Sequence, residues 1–150
     1  MKNFIFFRVK DLKGLPEIYP GRVIFKDVVK YLEEKNISYK ELKGSFVYSI
    51  VCRFDKLDVA VSMFPITLKE ENSLGTLWSS IWCTKYIHTP WWKSIIFSKS
   101  YSWEERENEE QIEKVCELIY KYLVNKSSFV DIKLLTRKEW NKMTGENWKD

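Results

Sequence analysis

His88 is the only histidine in the chain, five residues after Cys83 and six before Ser94. A thiol or hydroxyl beside an imidazole is the arrangement that activates a nucleophile. On extended backbone, side chains an odd number of residues apart point to opposite faces, so Cys83 and His88 do not meet within one strand. A single histidine also excludes a two-histidine metal site. Placed just before Thr89–Pro90, His88 reads as a turn residue. Asp55 and Asp58 flank the short polar run "FDKLD". Two carboxylates three apart at a strand end could hold a divalent cation or exchange protons. Aspartates in turns more often bond their own backbone, and that is the simpler reading.

Other chemistries lack their residues. There is no G-x-G-x-x-G and no G-x-x-x-x-G-K-[ST] run, so neither common phosphate loop is present. Gly44 and Gly75 read as turn glycines leading into strands. Cys52, Cys83 and Cys116 are far apart and odd in number, and none forms a C-x-x-C pair. That spacing supports neither a disulfide framework nor a zinc site. Each sits among apolar residues and reads as a small buried hydrophobe, which suits a reducing, cytosolic setting. No cofactor is expected.

The charge is segregated. "WEERENEEQIEKVCE" (103–117) holds Glu104, Glu105, Glu107, Glu109, Glu110, Glu113 and Glu117 against Arg106 and Lys114, a net of −5. The whole chain is +4, which leaves +9 for the remainder. Acids stabilise the first turn of a helix through its dipole, but these run over several turns. Residues 104–111 carry no apolar stripe, so this helix start is expected to project, either as a plain solvated face or as a recognition surface for a basic partner. Among the 25 basic residues, 20 are Lys and 5 are Arg. Lysine lacks the planar fork that reads guanine and phosphate in two-point fashion, so the basic excess favours sequence readout weakly.

Aromatic residues crowd "LWSSIWCTKYIHTPWW" (77–92), which holds four of the seven Trp. Trp78, Trp82 and Tyr86 recur every four residues and share a face in either a strand or a helix. Their composition context (Ser79, Ser80, Ile81, Thr84) favours a strand, and the shared face reads as core. The step Trp91–Trp92 cannot bury both rings on one face, so one ring is expected to reach the surface, where Trp is enriched at interface centres.

These residues need a frame. At 150 residues the chain is expected to be one domain, able to bury roughly 70% of its unfolded surface without a metal or disulfide. "NFIFFRV" (3–9) is apolar on both faces and predicts a central strand, not a signal peptide, because Arg8 breaks its short apolar run. Residues 10–21 read as a loop. Phe25, Val28, Val29 and Leu32 predict a helix over 23–35, closed by Asn36. Residues 45–54 and 58–66 predict a β-hairpin, 75–87 a strand, and 95–97 a further short one. Ser102 with Glu105 predicts a capping box for a helix running to about Asn125. A strand over 127–135 and a short helix between Thr136 and Gly145 follow, with 146–150 as a loose tail. No apolar run approaches the roughly 18 residues of a membrane span. The class expected is α+β, a mostly antiparallel sheet with helices packed on one face.

By elimination, this profile suits a small cytosolic protein that binds another protein. The favoured form is an inhibitor of the immunity or antitoxin type, neutralising a partner enzyme such as a nuclease toxin. Glu104, Glu105, Glu107, Glu109 and Glu110 would meet a basic surface, with Trp91 or Trp92 as anchor. The alternatives are a nucleic-acid binder, in which lysines and Trp rings share one face, and an enzyme whose site lies around Asp55, Asp58 or His88.

Overall fold

The computed structural model describes residues 1–9, 20–42, 48–66, 77–86 and 108–145. Among them are six strands and three helices in the order β1 (Lys2–Val9), α1 (Pro20–Glu34), β2 (Tyr39–Glu41), β3 (Tyr48–Phe54), β4 (Leu57–Ile66), β5 (Leu77–Lys85), α2 (Glu109–Val124), β6 (Phe129–Thr136) and α3 (Arg137–Thr144). The strands form one sheet, β2-β3-β4-β5-β1-β6, in which every neighbouring pair is antiparallel. The chain is therefore an α+β protein. β1 lies inside the sheet, as its two-faced hydrophobicity predicts, and Phe4, Ile5, Phe6 and Phe7 are all buried.

Register sorts the side chains into two faces. Ile5 and Phe7 of β1, Ile50 and Cys52 of β3, Val59, Val61 and Met63 of β4, and Ile81 and Cys83 of β5 belong to the main core. Against this face α1 lays Phe25, Val28, Val29 and Leu32, the stripe read from the sequence. α2 adds Ile112, Val115, Cys116, Ile119 and Leu123. Each such side chain, fully buried, contributes about 1.5–3 kcal/mol, so this layer dominates the stability. At their C-terminal ends the two helices meet through Tyr31 and Tyr122, stacked at 4.4 Å. Lys35 lies over the first ring and Lys126 over the second, an added cation–π attraction.

The second face is closed at one end by α3. Trp140 stacks on Phe4 at 5.1 Å, and Phe4 in turn lies parallel to Trp82 at 5.8 Å. Trp140 Nε1 donates to Ser80 Oγ, and Ser80 donates to the Ile5 carbonyl, so both buried polar groups are satisfied. The two long helices thus share one face of the sheet, and the short third helix covers a corner of the other. Its ends follow the sequence. Thr136 and Glu139 form a reciprocal capping box, and Gly145 takes φ 73 beyond the last turn.

β6 is an edge strand, and its pairing with β1 shifts register twice. Asp131 sits at one shift with φ 53 and holds Arg8 at 2.7 Å. Such irregularity makes a poor template for pairing with another chain.

One element departs from expectation. β2 is too short for a period-2 pattern to reveal it. β3 is described from Tyr48, with 43–47 outside the described residues. α2 is described from Glu109, with Asn108 at its N-cap position and making no side-chain cap. The first buried residue of α2 is Ile112, and a helix in water is held chiefly by the face it buries. The described turns of α2 follow that stripe, from Ile112 through Leu123. The strand read over 95–97, the Ser102–Glu105 box and the tail 146–150 lie outside the described residues. Among the described residues no helix is long and apolar enough to cross a membrane.

Candidate functional site

The tip of the β3–β4 hairpin gathers more of the candidate residues than any other place in the described structure. Asp55 and Lys56 form its two-residue turn, between the cross-strand pair Phe54–Leu57. Asp55 adopts φ 54, a conformation that aspartate tolerates better than most residues. One pair further in, Arg53 lies opposite Asp58, and its Nη1 donates to Asp58 Oδ1 at 2.6 Å. The next strand joins here too, since Tyr86 N donates to the Asp58 carbonyl at 2.7 Å.

On the helix side, the start of α2 faces the turn. Asp55, Lys56, Leu57, Asn108 and Gln111 line an open cavity of about 550 Å³ between them. The Asn108 side chain does not cap the helix. Glu109 and Glu110 occupy the first turn. Glu110 accepts from Lys114 one turn on, at 2.7 Å. That bond holds the Lys114 ammonium above its ordinary pKa, with Asp55 adding a weaker push, and holds the Glu110 carboxyl below its own. Further along, Glu113 accepts from the backbone N–H of Lys2, and Glu117 pairs with Lys121. Within α2 the acids are therefore largely matched by partners of this chain.

On the second sheet face, below the same tip, lies a depression of about 260 Å³. Val51 and Leu42 supply apolar lining, and Lys40, Arg53, Asp58 and Tyr86 supply the polar groups. Lys40 pairs across the ladder with Val51, and the backbone N–H of Arg53 donates to the Ser38 carbonyl, so β2 carries one wall. Sequence reading missed this feature. Lys40 and Arg53 lie on different strands, and the three residues of β2 show no periodicity that would align them.

The structure separates several residues that spacing had put together. Asp58 is held by Arg53 across the hairpin, while Asp55 sits in the turn itself, beyond that pair. Cys83 is wholly buried and cannot act as an exposed nucleophile. Its thiol hydrogen-bonds Cys116, which together with burial pushes its pKa well up. Cys52 lies near it, donates to the Val59 carbonyl and is pushed up to about 12, chiefly by burial. The three cysteines, far apart in sequence, thus converge in one core as inert thiols. Trp82 is half-buried on the second face, beside Phe4 and under the Arg137 guanidinium at 5.9 Å, not in the main core. Tyr86 is half-buried on the same face. His88, Trp91, Trp92, Ser94, Glu104, Glu105 and Glu107, and the side chain of Trp78, lie outside the described residues.

Tyr86 and Asn108 both adjoin the hairpin tip, one bonded to Asp58 and the other lining the cavity with Asp55. In sequence, Trp91, Trp92, Glu104, Glu105 and Glu107 fall between these two residues. Among the described residues, no group of three or more His, Cys, Asp or Glu side chains could hold a metal ion. Comparison with protein families, with curated proteins and with solved structures finds no match to this chain.

Proposed function

We propose that the chain is a protein-binding protein of the inhibitor or immunity type, which neutralises a partner enzyme by docking the end of the sheet that bears the hairpin tip. The observation that carries this reading is that Tyr86 and Asn108, between which the sequence carries Trp91, Trp92, Glu104, Glu105 and Glu107, both adjoin the hairpin tip, at Asp58 and Asp55. Glu109 and Glu110 begin the helix that follows. A partner with a basic surface, such as a nuclease, would meet the acids, and a tryptophan would supply the apolar anchor. The reading makes the chain a binder in a cytoplasmic setting and not an enzyme. Its test is functional. The captured partner should lose its own activity in proportion to added chain, with full loss near equimolar ratio, and retention of that activity in the complex would contradict inhibition.

A second reading draws on one observation. Arg137 lies over Trp82, and Arg8, Arg53 and Lys40 share that sheet face, which is the arrangement a nucleic-acid binder would need. The ring is already stacked beside Phe4 and beneath Arg137, and a base would have to displace that guanidinium. The protein-binding reading is the one adopted.

A further inference from the structure

The depression on the second sheet face has a composition that the fold itself does not require. Its lining combines an apolar patch at Val51 and Leu42 with two cations on adjacent strands, Lys40 and Arg53. Arg53 is about half exposed, and Asp58 holds it through one nitrogen, Nη1. Its orientation is thereby set, and a planar guanidinium so held keeps further N–H groups for a second acceptor. Lys40 is exposed and has no carboxylate partner among the described residues. With Asp58 satisfied by Arg53, one positive charge is left over at a site that also has room for a short aliphatic stem.

We propose that this depression is a recognition pocket for the side-chain carboxylate of a glutamate or aspartate on a protein partner. The proposal rests on the protein-binding reading and deepens it. The stem would lie on Val51 and Leu42, and the carboxylate would accept from Lys40 and from the free edge of Arg53. A carboxylate with two cationic donors makes charge-assisted bonds, stronger than neutral ones. The pocket would add a positive site to this side of the hairpin tip, and a partner carboxylate placed to reach it would fix the orientation of docking, which is how charge fixes register at an interface.

The test needs no knowledge of the partner. The free protein, labelled with nitrogen-15, is titrated with acetyl-Gly-Glu-Gly-amide, with its Gln counterpart, and with inorganic phosphate, while backbone amide shifts are followed. Saturable shifts at Lys40, Val51, Arg53 and Tyr86 are expected with the Glu peptide, weaker by at least tenfold with the Gln peptide. Lys40→Met, which breaks no ion pair among the described residues, should weaken the Glu peptide at least tenfold with the rest of the spectrum unchanged. Arg53→Met should do the same, but it also strands Asp58, so Lys40→Met is the deciding variant. Absent or non-saturable shifts, equal shifts from the Gln peptide, or an undiminished response in Lys40→Met would overturn the proposal. Saturation by phosphate without the Glu peptide would overturn it in favour of a phosphate ligand. None of these outcomes bears on whether a partner protein is captured, so the pocket can fail while the protein-binding reading stands.

Discussion

The indole N–H of Trp140 donates to the hydroxyl of Ser80 across 2.9 Å. Ser80 passes its own proton to the carbonyl of Ile5 at 3.0 Å. One hydroxyl therefore ties the last helix to two interior strands, in a place where neither polar group reaches water.

Removing that hydroxyl should be costly out of proportion to its size. Ser80→Ala leaves the buried indole donor without an acceptor, and a loss of about 1–3 kcal/mol is expected in urea unfolding. Trp140→Phe removes the donor while Ser80 keeps its bond to Ile5. The double variant should lose less than the sum of the two single ones, because both delete the same bond. Strict additivity would show that the bond contributes nothing.

The three thiols should be silent in the folded protein. Cys52, Cys83 and Cys116 are buried; burial keeps Cys52 protonated, and the hydrogen bond to Cys116 together with burial keeps Cys83 so. No thiol should react with a disulfide reagent at pH 8 under native conditions, and all three should react in urea. Rapid native labelling of even one would mean that the core opens.

The same thiols set the alkaline limb of stability. Cys52 in the folded protein holds its proton to about pH 12, against an ordinary value of about 9. The folded state therefore binds more protons than the unfolded chain above pH 9, and stability falls as pH rises from there through 12. Burial raises Tyr122 in the same direction. Denaturant midpoints measured between pH 8 and 11 should decline, and Cys52→Ala should flatten the slope. A slope unchanged by that substitution would remove Cys52 as its source.

The hairpin turn carries a backbone demand that a β-branched residue cannot meet. Asp55 sits at φ 54. Asp55→Gly and Asp55→Asn should be tolerated, and Asp55→Val should cost about 1–2 kcal/mol. Equal midpoints for all three variants would argue for a different turn in solution.

Much of this fold could be read directly, and the reasons are particular. Phe4 to Phe7 announce an interior strand because both faces are apolar. Phe25, Val28, Val29 and Leu32 announce a helix because their spacing matches one buried stripe. Thr136 and Gly145 carry the chemistry of helix ends. β2 went unseen because three residues hold no period, and with it went the wall that brings Lys40 beside Arg53. The apolar stripe of α2 was legible because Ile112, Val115, Cys116, Ile119 and Leu123 recur at helical spacing, and all five are buried. The cysteines were read correctly one at a time. Their convergence depends on the order β3-β4-β5 and on α2 crossing above it, which no local spacing encodes.

The most direct test of the central claim is capture of a partner from lysate of the source cells by the tagged chain, with and without nuclease treatment, beside a Glu104→Lys/Glu107→Lys variant. The account predicts a stoichiometric protein that survives nuclease and is lost or strongly reduced with the variant, whose melting temperature should match the parent's. An empty capture, a partner that disappears with nuclease, or equal capture by the variant would contradict it.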